Sequence, residues 1–152
     1  MAEAVYDSSF IGYANVSLDD PTAERREFLR QLVAAIALVV SGQTSLRWNK
    51  ALRTEYDDIV KVHQNDAVDQ FFAILTSENA TFVAKNSLRK HENVRAHDCN
   101  WPQHDRHLIA AAIDGTNVTI HVTERRLGVC TERMWRILRI RVNYVPVVLP
   151  KT

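Results

Sequence analysis

The sequence predicts an α/β fold built on a central, mainly parallel sheet. Three observations carry the prediction. Short apolar runs of strand character alternate with longer segments whose apolar residues recur every three or four positions, as in helices that cross between parallel strands. The 152 residues suffice for one domain with a substantial core, so 1–152 is taken as a single domain. Four Gly, four Pro and no repeat or low-complexity stretch leave little room for a linker.

Each element has its own signal. "EAVYD" is a short strand at the start. "PTAERREFLRQLVAAIA" is a helix, with Asp19 or Asp20 as its cap and Pro21 at its first position. "ALVVSG" follows as a buried strand ended by Gly42, and "TSLRWNKALRTEYDDIVKV" is the longest helical pattern. "DAVDQFFAILTSE" is another helix and "ATFVAK" a strand. Residues Lys85 to Cys99 are polar and weakly periodic, which fits a loop or irregular helix. "NWPQHDRHLIAAAI" is a helix with Asn100 as candidate cap, "NVTIHVT" a strand, "TERMWRIL" a short helix and "IRVNYVPVV" a closing strand.

The hydrophobic fraction of 46% and charged fraction of 24% are those of an ordinary globular chain, which argues against disorder. The longest apolar run, "VAAIALVV", is far short of a membrane span, and "MAEAVYDSSF" lacks the basic start and apolar core of a signal peptide. Cys99 and Cys130 are too few for a disulfide framework, so a reducing, cytoplasmic setting is expected. Net charge is +1 but unevenly spread: −5 over residues 1–84, +1 over 85–119 and +5 over 120–152. A basic C-terminal part points to an anionic partner or a solvated helix face.

Four acids stand where acids are costly or purposeful. In the long helical pattern Trp48, Leu52, Ile59 and Val62 share a stripe with Glu55 at its centre, while Asp57 points the other way. A carboxylate on a core-facing stripe needs a partner or a cation. Asp105 shares a face with Leu108, Ile109 and Ala112, though an acid in a first turn also suits the helix dipole. Asp7 ends one strand and Glu124 follows another, and parallel sheets bind ligands beyond the carboxyl ends of their strands. Four carboxylates converging there would repel one another, and Mg²⁺ or Mn²⁺ would resolve the conflict and support phosphodiester hydrolysis.

These segments resemble the PIN domain family of metal-dependent ribonucleases. "VYDSSFI" is similar to its opening strand and acidic motif, and "LVVSGQTSLRWNKALRTEYDDIV" to its second strand and Glu-bearing helix. "DRHLIAAAIDGTNVTIHVTERRL" is the most specific match, similar to the Asp-x-x-Leu-Ile-Ala-Ala-Ala helix, strand and Thr-x-Asp-x-x-Leu motif. The resemblance covers nearly the whole chain and is weakest between Asn65 and Gln103. It implies a PIN-like α/β/α sandwich that cleaves single-stranded RNA with Mg²⁺ or Mn²⁺ held by Asp7, Glu55, Asp105 and Glu124, with Ser8 and Thr123 in support. It also implies a toxin held by a small antitoxin, and a homodimer. One departure is Glu124, where the family commonly has Asp; its carboxylate lies about 1.5 Å further from the backbone.

Around these acids, Lys85, Arg89, Lys90 and Arg95 precede Asp105, and Arg125 and Arg126 follow Glu124. In an enzyme acting on RNA they would bracket the site and grip phosphates. His91, His97, Cys99, His104 and His107 cluster, but their spacing fits no zinc finger. His104 and His107 flank Asp105 and are either surface residues or phosphate contacts. Trp48, Trp101 and Trp135 read as core residues rather than stacking platforms; only Trp101, in a loop-like stretch, leaves base contact open as an alternative. No Gly-rich phosphate loop or Gly-x-Ser-x-Gly elbow is present, which disfavours a nucleotide kinase or serine hydrolase. Two alternatives stand beside the nuclease: a catalytically weak PIN-like module that binds RNA or protein, and a nucleotide-binding α/β regulator.

Overall fold

The computed structural model describes residues 1–20 and 22–147. It is a three-layer α/β/α sandwich around a five-stranded, all-parallel sheet of order β3-β2-β1-β4-β5. In chain order the elements are β1 (Ala2–Tyr6), α1 (Ser8–Ala14), α2 (Ala23–Val40), β2 (Thr44–Trp48), α3 (Lys50–Ile59), α4 (Asp66–Leu75) and β3 (Ala80–Phe82). Then follow α5 (Lys90–Asp98), a 3-10 turn at Gln103–Asp105, α6 (Arg106–Ala112), β4 (Val118–Val122), α7 (Arg125–Gly128), α8 (Thr131–Leu138) and β5 (Arg141–Tyr144).

Side-chain alternation along the central strands sorts the layers. Ala4, Tyr6, Leu46 and His121 face α2, and Tyr6 also meets Phe71 of α4 edge-on. Arg47, one position from Leu46, turns to the other face, where its Nε donates to the Ala111 carbonyl of α6 at 2.7 Å. All five residues Leu108 to Ala112 are buried, so α6 is an apolar helix pressed on β1, β2 and β4. Among the described residues no helix is long and apolar enough to cross a membrane.

Four local expectations fail. "ALVVSG" is not a strand: α2 continues to Val40, because Phe28, Leu32, Ile36 and Val39 keep one buried helical face to its end. "TSLRW" is the strand instead, and Asn49 divides it from α3 by accepting the Leu52 N–H on its side chain. "SSFIGYA" forms α1, which the sequence reading did not contain. Residues 90–98 form a regular helix, α5, where a loop or irregular helix was expected.

Thr22 precedes the first residue of α2, and Asp20 braces that turn by accepting from the Thr22 N–H and hydroxyl. Asn100 is not a helix cap; it takes a left-handed conformation (φ 59°) after α5. The expected role of Pro21, and Val148 in the closing strand, lie outside the described residues.

Candidate functional site

The order of the strands creates the crevice. After β1 the chain crosses to β2 on one side, and later returns to β4 on the other. The carboxyl ends of β1 and β4 are therefore a topological switch point, where an open parallel sheet leaves a cleft. Tyr6 pairs with His121, so Asp7 and Thr123–Glu124 leave the sheet side by side at that edge. The Asp7 N–H donates to the His121 carbonyl at 3.0 Å, which fixes the exit of β1.

Asp7 is buried and precedes α1. The Ser9 hydroxyl donates to its Oδ2 at 3.1 Å and lies 2.7 Å from the Thr123 hydroxyl, joining the two strand ends. Burial pushes the Asp7 carboxyl up to about 6; the Ser9 hydrogen bond opposes this, and the charges of Asp105, Glu55 and Glu124 reinforce it. The four acids thus act on one another. The hydroxyl bonded to Asp7 is that of Ser9, next to Thr123, whereas the resemblance implies Ser8.

Asp105 is also buried, at the end of the 3-10 turn that opens α6. Burial raises its carboxyl; Arg126 pulls it back, and Glu124 pushes it up again. The Arg126 guanidinium stands 3.2 Å from Asp105 Oδ2 and 2.5 Å from Glu124 Oε2, bridging the two acids. Even so, Asp105 Oδ2 is out of solvent and has no properly aligned hydrogen bond among the described residues.

Glu55 is not centred on a buried stripe. The buried side of α3 is Leu52 and Tyr56, with Val60 beyond, while Ile59 and Val62 are exposed. The phase was misjudged because Trp48 belongs to β2. Glu55 stands at the border of the buried face, its side chain 42% exposed, and His107 Nε2 lies 2.6 Å from its Oε1. Burial pulls the His107 pKa down, but the hydrogen bond and charge of Glu55 outweigh it and leave His107 above the ordinary histidine value. His107, weighed only as a surface residue or phosphate contact, is thus a member of the acid centre. Its position two residues after Asp105 was the available signal.

The basic residues divide. Lys85 is engaged with the buried Glu92 at 2.6 Å, and Arg95 donates to the Ile137 carbonyl at 2.6 Å, tying α5 to α8. Both serve the fold. Arg89, Lys90 and Arg125 are exposed, and Lys90 lines an open hollow with Asn93, Val94, His97 and Arg106. Trp101 is core: it is 1% exposed and its Nε1 donates to the Asp105 carbonyl at 2.7 Å, so it fixes the turn that carries the acid and is not a base platform. Trp135 is exposed, with Arg139 and Arg141 over its ring, against its expected place in the core.

In this conformation no group of three or more His, Cys, Asp or Glu side chains among the described residues is drawn together tightly enough to hold a metal ion. That holds for zinc as for Mg²⁺; Cys99 and Cys130 are buried, free thiols. The donor chemistry still suits a hard cation. The buried oxygens of Asp7 and Asp105 are carboxylates, one of them lacks a hydrogen bond, and the site is already short of positive charge. Against known proteins, no family model, curated protein or solved structure matches the chain.

Proposed function

We propose that the chain is a PIN-type endoribonuclease that hydrolyses phosphodiester bonds of single-stranded RNA with Mg²⁺ or Mn²⁺. The observation that carries this is the placement of Asp7, Glu55, Asp105 and Glu124 around one switch point, where the charges of the other three add to the burial that holds Asp7 near 6. Such crowding costs stability and is expected where a cation or phosphate is handled. Asp7 and Asp105 would hold the cation, with Glu55 and Glu124 at the border of the site. Once bound, it would supply positive charge to the acids and to the phosphodiester.

The chain's own residues do the positioning. Ser9 orients Asp7 against Thr123. His107 holds Glu55 at the rim. Arg126 bridges Asp105 and Glu124 and offsets their repulsion. Arg89, Lys90 and Arg125, all exposed, would meet phosphates without reading bases. Purified protein should cleave labelled single-stranded RNA with Mg²⁺ or Mn²⁺, lose cleavage to a chelator, and lose it in Asp7→Asn. Cleavage that survives both changes overturns the proposal.

One observation favours a second reading. Arg126 sits where a cation would neutralise Asp105 and Glu124, which suits a catalytically weak module that binds RNA or protein. Arg126→Gln separates the two. A nuclease whose acids await a cation binds Mn²⁺ more tightly without the competing guanidinium; a module that has lost its metal shows no Mn²⁺ response in either form. The toxin role, its small antitoxin and a homodimer rest on the resemblance alone, and a short antitoxin-like frame beside the gene would support them.

A further inference from the structure

Next to the acid centre is a hollow of about 330 Å³, walled by Ser9, Gly12, Tyr13, Arg25 and Ile59. Ser9 is the hydroxyl that joins Asp7 to Thr123, so hollow and acid centre share a wall. Three features make it more than a surface dent.

Arg25 is held but not spent. Its Nη2 donates to the Gly12 carbonyl at 3.2 Å, while its Nε–H is out of solvent and has no acceptor among the described residues. A buried guanidinium donor without an acceptor is costly. Asp20 lies near enough to feel the Arg25 charge, but its Oδ1 already accepts from Thr22, and no ion pair to Arg25 forms among the described residues. The Nε side of the fork is closed, but Nη1 carries no bond among the described residues, so the outer edge of the guanidinium is open to an anion, and phosphate suits it.

The opposite wall is apolar and partly uncovered. Ile59 is 47% exposed although it borders the core, and Tyr13 is braced by stacking on Phe28 at 5.3 Å between ring centroids. A braced aromatic beside an exposed aliphatic offers a flat surface to a base or sugar.

Gly12 sets the width. A Cβ on Gly12 would lie 2.8 Å from Ile59 Cδ1. Only glycine lets the Ile59 tip rest against α1, and any larger residue forces that tip to shift and reshapes the wall of the hollow.

We propose that this hollow is a nucleotide subsite, in which Arg25 takes a phosphate and the Tyr13–Ile59 wall takes the attached base or sugar. It rests on the ribonuclease reading for its use: it would hold a nucleotide next to the bond that is cut. An isolated anion site would not need the apolar wall, and an apolar site would not need the arginine.

The test uses adenosine 5′-monophosphate and cytidine 5′-monophosphate as probes, with inorganic phosphate and free adenosine as controls, in chelator so that no metal chemistry intervenes. Both nucleotides should shift the Ile59 δ1-methyl NMR signal of the parent protein, and bind about tenfold or more tighter than either control because phosphate and base contacts combine. Arg25→Gln should weaken nucleotide binding about tenfold. Gly12→Ala, which keeps the helix and every charge, should weaken nucleotides more than phosphate. The Ile59 signal of the parent needs no variant, so loss of the Arg25–Gly12 tie cannot obscure the answer. An unmoved Ile59 methyl, or nucleotide affinity unchanged in both variants, overturns the subsite. Nucleotide binding without any metal-dependent RNA cleavage would sink the ribonuclease and keep the subsite. Metal-dependent cleavage with an unaltered KM in Arg25→Gln and an unmoved Ile59 methyl would do the reverse.

Discussion

Ser9 shows what a single residue contributes at the crevice. Its hydroxyl donates to Asp7 and meets Thr123, so two strand ends are held by one side chain. Ser8, one position earlier, is half-buried and bonded to neither. Ser9→Ala should therefore cost about 1–2 kcal/mol in a metal-free urea melt, because a buried carboxylate loses a donor, while Ser8→Ala should cost under about 0.5 kcal/mol. Equal costs would return both serines to ordinary helix-start residues. The candidate acids themselves were legible because their positions broke local rules: strand-end acids and an acid at the start of an apolar helix. Their partners were not. Nothing in the spacing says that His107 reaches Glu55 across 52 residues of chain, or that Arg126 turns back on Asp105. Such contacts are made by the fold, after the pattern has done its work.

At the scale of elements, polarity hides a helix in one place and apolar spacing hides a strand in another. Helix α5 was read as irregular because its polarity hid the device that starts it. Glu92 is buried, accepts the Arg89 N–H at 2.7 Å and receives Lys85 at 2.6 Å. Burial pushes its carboxyl up, yet these bonds hold it below the usual glutamate range. Glu92→Ala strands the Lys85 ammonium and one helix-start N–H together. It should cost about 2–4 kcal/mol and abolish slow hydrogen exchange in residues 90–98 before the rest of the molecule. Loss confined to global stability, with α5 exchanging like the sheet, would refute a local role. The opposite error produced the missing β2. Its five residues, with Asn49 as the cap of α3, were absorbed into a helical pattern because Trp48 and Leu52 happen to be four apart. Propensity and periodicity lose to one side-chain cap when a strand runs directly into a helix. Strand β4 is legible because buried and half-buried residues alternate along it, and β1 because its short apolar run stops at Asp7.

Across the whole molecule, the buried Asp7 and the half-buried His121, at neighbouring strand ends, pull stability in opposite directions with pH. Burial lowers the His121 pKa to about 4, while its Nδ1 lies 3.0 Å from the Asn143 amide and its ring stacks on Tyr6 at 4.3 Å. As pH falls from 6.5 toward 4, the unfolded chain takes up a proton at this residue that the folded chain refuses. Stability is lost across that window, on the order of 3 kcal/mol in all. Asp7 does the reverse. Its folded pKa of about 6 lies above the ordinary 3.8, so its penalty is complete above pH 6 and is relieved as pH falls toward 3.8, again by on the order of 3 kcal/mol. Asp105, also raised, pushes in the same direction as Asp7, whereas His107, raised above the ordinary histidine value, completes its gain before pH falls to 6.5. The parent's profile between pH 6.5 and 4 is therefore a sum of opposing terms, and each shows more clearly when its opponent is removed. Metal-free Asp7→Asn should lose stability on acidification more steeply than the parent, and it should be the more stable protein at pH 7.5. His121→Phe, whatever its absolute stability, should lose less on acidification than the parent, or gain. Urea midpoints at half-unit steps of pH, in chelator, give both slopes. Parallel profiles for the three proteins would mean that neither group carries the burial its position implies, and the strain assigned to the acid centre would go with them.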